Sequence, residues 1–222
     1  MFLLLILLTV ISFAIQWRLK SKFRQYSQVG LQANLTGAQV AELMLADHGI
    51  RDVRIISTDG QLTDHYNPTD KTVNLSEGVY AERSAAAAAI AAHECGHAVQ
   101  HATAYSMLQF RSAMVPTLSA VSKWMPILLI VGVLALRFSV LPLGLGVLLF
   151  SLTTIFSFVT LPVEFDASRR ALAWMDKRGI VTVQEHAMAK DALWWAAMTY
   201  VVAAISSLAT LLYYAQMLGR RN

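Results

Sequence analysis

The 222-residue chain is 56% hydrophobic and 14% charged with a formal net charge of +4, and its mean hydropathy is +0.49. Soluble domains carry about 25% charged residues, so the composition excludes an ordinary soluble globule and points to a membrane protein with one polar domain. Basic residues gather in short flanks (Arg18, Lys20, Lys22 and Arg24; Arg169, Arg170, Lys177 and Arg178), as juxtamembrane anchors do, and no nucleic-acid partner is expected.

Residues 1–17 are an uncharged apolar run followed at once by basic residues. A cleaved signal peptide has the opposite charge order, so a retained anchor with its N-terminus outside is expected, short for a span. Residues 35–48 carry apolar side chains at helical spacing, with Thr36 as N-cap and Gly49 as stop. The period then changes. β-like runs at 53–56, 62–66 and 72–75, with the turn signal Asn67-Pro68-Thr69-Asp70, predict a small antiparallel sheet or hairpin. From Ser84 an alanine-rich run is a strong helix former. Apolar blocks at 124–136 and 138–161 flank Arg137, the first too short to cross unless its helix starts before Lys123. A polar, basic patch leads to a last span at 193–217 and the tail 218–222, which contains Arg220 and Arg221.

The chemistry concentrates in residues 91–101, AAHECGHAVQH. His93 and His97 share one helix face a turn apart, so both imidazoles can converge on one ion. H-E-x-x-H is the pattern by which metalloproteases hold zinc, with the glutamate, here Glu94, as general base. Cys95, the single cysteine, cannot form an intrachain disulfide and faces about 200° away from His93. Gly96 would let another backbone come close. His101 extends the i, i+4 series but stands about 12 Å from His93 along the axis, too far to join the same ion.

A third ligand must come from elsewhere, and Glu164 in LPVEFDASRRAL is the best candidate. If the blocks at 124–136 and 138–161 both cross, they form a hairpin that returns Glu164 to the membrane face of His93 and His97. Asp166 competes but points to a different helix face, and Ser168, one turn after Glu164, can hydrogen-bond a ligating imidazole. The bland alternative is a juxtamembrane helix without chemistry.

Four motifs in series, DHYNP (64–68), TVNLSEGVY (72–80), AAHECGHAVQH (91–101) and PVEFDASRRAL (162–172), resemble those of the YugP-like membrane-bound neutral zinc metallopeptidases. The resemblance runs from the first span to the last. It implies His93, His97 and Glu164 as zinc ligands, one Zn2+ per chain, and Glu94 as catalytic acid/base. The implied fold is mainly α, an integral membrane protein of about four hydrophobic helices with a gluzincin-like, zincin-type domain containing the small antiparallel sheet. The chain would divide into an anchor (1–17), the zincin-like domain (18–123), a transmembrane hairpin (124–163), a third-ligand helix with a basic segment (164–192), a last span (193–217) and the tail (218–222). Integral-membrane gluzincins often carry Glu-x-x-x-Asp; here the fourth position is Ser168, so Asp166 or Ser168 would substitute for the aspartate.

The expected reaction is zinc-assisted peptide hydrolysis of a peptide or protein substrate, including a membrane protein, at a lipid bilayer. An extended substrate would add at a strand edge, 73–75 or 64–66. His186, His101, Tyr66 and Tyr80 are candidates for stabilising the oxyanion. Two alternatives are a non-catalytic membrane scaffold with a structural zinc and an intramembrane-type protease. The helix bearing H-E-x-x-H is too polar to cross, which disfavours the second. By the positive-inside rule the flanks at 18–24 and 169–178 place the site on the cytoplasmic side of a bacterial inner membrane; Arg220 and Arg221 oppose this.

Overall fold

The computed structural model describes residues 2–219; Met1 and residues 220–222, with Arg220 and Arg221 of the expected tail, lie outside the described residues. The elements are α1 (Phe2–Ser27), α2 (Gly37–Asp47), β1 (Arg54–Thr58), β2 (His65–Asn67), β3 (Thr72–Ser76), α3 (Glu77–Ala81), α4 (Ala85–Ala102), α5 (Ser106–Leu134), α6 (Leu141–Arg178) and α7 (Val183–Gly219). The chain is mainly α.

Helices α1, α5, α6 and α7 are long and apolar enough to cross a membrane. Their outer faces expose Phe13, Trp124, Ile130, Leu148 and Leu212. Water would penalise so much apolar surface, whereas a bilayer solvates it. The fold is that of an integral membrane protein. Helix α5 starts at Ser106 and has 29 residues, about 43 Å at 1.5 Å per residue. The block at 124–136 is therefore only the far half of a helix long enough to cross. At the far end α5 and α6 pack as a hairpin: a Cβ on Gly132 would lie 2.4 Å from the Leu143 backbone, and one on Gly146 would meet Leu129. The expected boundaries at 123/124, 163/164 and 192/193 all fall inside continuous helices.

Helix α4 is the centre of the polar half. Ser84 caps it, its hydroxyl accepting from the Ala87 N–H at 3.1 Å. Alanines 85–89, 91 and 92 are buried, so the helix presents a smooth cylinder against which α2, α6, α7 and the sheet all pack. Helix α2 is capped by Thr36 and stopped at Gly49, whose φ is +69°, as expected, and Gln39 completes a capping box with Thr36.

The sheet corrects one expectation. Its order is β1-β3-β2, with β2 antiparallel to β3 as expected but β1 parallel to it. The tight Asn67–Lys71 turn, in which Asn67 Oδ1 accepts from the Thr69 N–H at 2.9 Å, forces only the β2–β3 pair to be antiparallel. β1 enters on the other side of β3, and residues 59–64 carry the chain across. Consequently residues 73–75 are in the central strand and offer no free edge, whereas β2 is an outer strand.

Candidate metal centre

His93, Glu94 and His97 are set by α4, and Glu164 by α6. The two helices meet where Gly96 faces Ala167: a Cβ at residue 96 would lie 2.6 Å from the Ala167 carbonyl oxygen. The missing side chain lets the backbones close up. That approach carries Glu164 to the histidines.

His93 Nε2 lies 3.4 Å and His97 Nε2 3.6 Å from the same Glu164 oxygen, Oε2. All three ligand atoms fall within 4.8 Å of one another. Two ligands held at about 2.1 Å in a tetrahedral arrangement stand about 3.4 Å apart, so the spacing suits zinc. The other ring nitrogens are already engaged. Ser168 Oγ lies 3.1 Å from His93 Nδ1 and Gln100 Oε1 lies 3.0 Å from His97 Nδ1, which leaves each Nε2 for the ion. Two nitrogens and one carboxylate are the donor set of an open, three-ligand zinc site. Glu164 is 2% exposed and also accepts from Arg111 at 3.1 Å.

Asp166 does not reach the ligand cluster. It accepts from Gln100 Nε2 at 2.9 Å and pairs with Arg169 and Arg170. It therefore acts on His97 through Gln100, whose Nε2 also donates to the Val163 carbonyl at 2.8 Å. Burial works against a charged His97 imidazole, but the Glu164 carboxylate outweighs it and holds the group above its ordinary 6.5. Cys95 faces the opposite side, its thiol 3.6 Å from the Ala41 carbonyl oxygen, and burial pushes that thiol up.

The cluster opens into a cleft of about 470 Å³ between β2, α4, α5, α6 and α7. Glu94 lines it, buried, and its Oε2 accepts from the Tyr66 backbone N–H at 2.9 Å. Asp64 ties the start of β2 to the end of β3 by accepting from the Ser76 N–H at 2.7 Å. The Tyr66 phenol turns to His101 Nδ1, 2.7 Å away, and His101 is outside the cleft lining. Tyr80 packs against the main core. His186 lies in a separate groove between α6 and α7. Arg111 and Tyr200 are two of the lining residues that sequence reasoning passed over. Each is a polar side chain in a membrane-length helix, and an ionisable group such as Arg111 there is by itself a signal of function. Tyr200 lines the same cleft as Glu164.

A sequence model of the family described as "Putative neutral zinc metallopeptidase" matches residues 1–219. The chain belongs to that family. A relative described as "Putative membrane protease YugP", from Bacillus subtilis (strain 168), is 40% identical over 204 residues, spanning 92% of this chain and 90% of that protein. No solved structure matches the chain. In this member of the neutral zinc metallopeptidase family, the His93, His97 and Glu164 donors suit the metal that the family's description names.

Proposed function

We propose that the chain is a membrane-bound zinc metallopeptidase that hydrolyses peptide bonds, with one zinc held by His93, His97 and Glu164. The observation that carries this reading is the convergence of those three donors beside a buried Glu94 at the wall of one cleft. Zinc bound there supplies Lewis acidity, polarising a carbonyl and making water acidic enough to attack near neutral pH.

Glu94 is the general base. One carboxylate oxygen is fixed by the Tyr66 N–H, so the other is free to take a proton from the attacking water and pass it to the leaving amine. Arg111 and Tyr200 line the same cleft and serve as donors to the oxygen on which negative charge develops. Ser168 and Gln100 hold the two imidazoles in orientation.

The substrate is an extended peptide segment. In an antiparallel strand, a residue whose N–H points away from its partner also turns its carbonyl away. Because the Tyr66 N–H reaches Glu94, its carbonyl faces the cleft side, where an added strand can pair along residues 64–66. Leu108, Val115 and Pro116 of α5 form the apolar wall, which favours a protein substrate at the membrane surface. The basic flanks at 18–24 and 169–178 support a site on the cytoplasmic face of a bacterial inner membrane.

The test is reconstitution of the full chain with zinc and an unstructured reporter peptide, free and lipid-tethered. Cleavage should vanish on chelation and return with zinc. Zinc-loaded protein that cleaves neither reporter would contradict the proposal.

A further inference from the structure

The groove between α6 and α7 shares Ser168 with the chemistry above, which uses none of its other lining residues. It encloses about 440 Å³ and contains Phe165, Arg169 and Asp176 of α6 with His186, Lys190 and Trp194 of α7. From this groove we infer a binding site for an anionic phospholipid, independent of any peptidase activity.

The vertical order of its residues carries the inference. Helix α6 runs away from the membrane after residue 164 and α7 runs back towards it, so their side chains pair in rungs. The rung nearest the apolar segments is Phe165 with Trp194, ring centroids 6.4 Å apart. Four residues on along α6, and four residues earlier along α7, stand Arg169 and Lys190, about 6 Å higher on each helix. His186 stands about 6 Å above Lys190 on α7, and Asp176 is farther still, about 10 Å above Arg169 on α6. An apolar aromatic level below a cationic level is the order in which a lipid presents acyl chain and phosphate.

The depth of these rungs is fixed independently by α1. Its apolar run ends at Trp17, and the next residue, Arg18, lies over the Trp195 ring at 5.7 Å. One turn on, Lys22 pairs with Asp191 at 2.8 Å. Arg18, Lys20 and Lys22 are the first cations after the apolar run of α1, so Trp194 and Trp195 lie at the bilayer boundary and Lys190 at headgroup height.

Charge favours an anion. Arg169 and Arg170 share the single buried Asp166, leaving one positive charge over. Lys190 is exposed and, among the described residues, has no ion pair. The carboxylate of the groove, Asp176, is on the rung farthest from the membrane, beyond the phosphate position.

The experiment uses the full chain in neutral detergent, with phosphatidylglycerol and phosphatidylcholine of equal acyl length supplied together and retained lipid counted by native mass spectrometry. Wild type should prefer phosphatidylglycerol. Each groove cation removed, Lys190→Gln alone or with Arg169→Gln, should lower that preference about fivefold, while Lys20→Gln, a juxtamembrane cation outside the groove, should not. Unchanged melting temperature in Lys190→Gln verifies folding, as expected for a side chain without an ion pair. Equal retention of the two lipids by wild type, or an undiminished preference in Lys190→Gln, would overturn the assignment. Displacement of the lipid by equimolar inorganic phosphate would also overturn it, marking a free-anion site.

Discussion

Gly96 and Ala167 lie so close that a methyl group at residue 96 would come within 2.6 Å of the Ala167 carbonyl oxygen. This contact joins the helix of the two histidines to the helix of the glutamate. Gly96→Ala gains about 1 kcal/mol of helix propensity, but the methyl meets backbone, which cannot rotate away, and overpacking costs about 1–3 kcal/mol. We expect a lower melting temperature and, because Glu164 moves off Nε2 of both histidines, weaker zinc retention. Thermal unfolding and metal analysis of the purified variant check both.

Ser168→Ala and Gln100→Ala should weaken zinc binding about 10–100-fold, since each removes the partner that orients an imidazole. Their stabilities should differ. Gln100 is fully buried and also donates to the Val163 carbonyl and Asp166, so its loss removes three buried hydrogen bonds, each worth about 1 kcal/mol. Ser168→Ala removes only the one hydrogen bond to His93 Nδ1. Chelator competition and denaturant unfolding separate the two effects.

Metal uptake should depend on pH in a set direction. In the metal-free protein His97 titrates above 6.5 because the Glu164 carboxylate outweighs burial. The stabilising His97–Glu164 pair is then fully present below the unfolded value of 6.5 and lost as pH rises through the higher folded value. Zinc requires neutral imidazole, so apparent zinc affinity should fall with decreasing pH, beginning above 6.5. A titration of affinity against pH that stays flat down to 6.5 would contradict this.

Tyr200→Phe should reduce kcat about 10²–10³-fold if its hydroxyl donates to the developing oxyanion, with zinc content unchanged. An equal kcat would remove Tyr200 from the reaction and leave Arg111 as the donor in that wall.

Much of this was legible before the fold. Local signals sufficed where the physics is local: the Thr36 N-cap, the Gly49 stop, and the alanine-rich helix with His93 and His97 one turn apart. The return of Glu164 to the histidines was legible as a matter of counting membrane crossings. Strand order was not, because alternation along β1 says nothing about which neighbour it joins. The near half of α5 was obscured by its polar residues between Ser106 and Lys123. Arg111 and Tyr200 escaped notice because only packing reveals that two distant helices turn them into one cleft.

The central claim is that Glu94 moves the proton while the three other residues hold the ion. Glu94→Gln keeps the shape of the side chain but removes its basicity, so the measurement is zinc stoichiometry and reporter cleavage on the same purified variant. The account predicts one zinc per chain and no cleavage. Full zinc with undiminished cleavage, or loss of the metal along with activity, would contradict it.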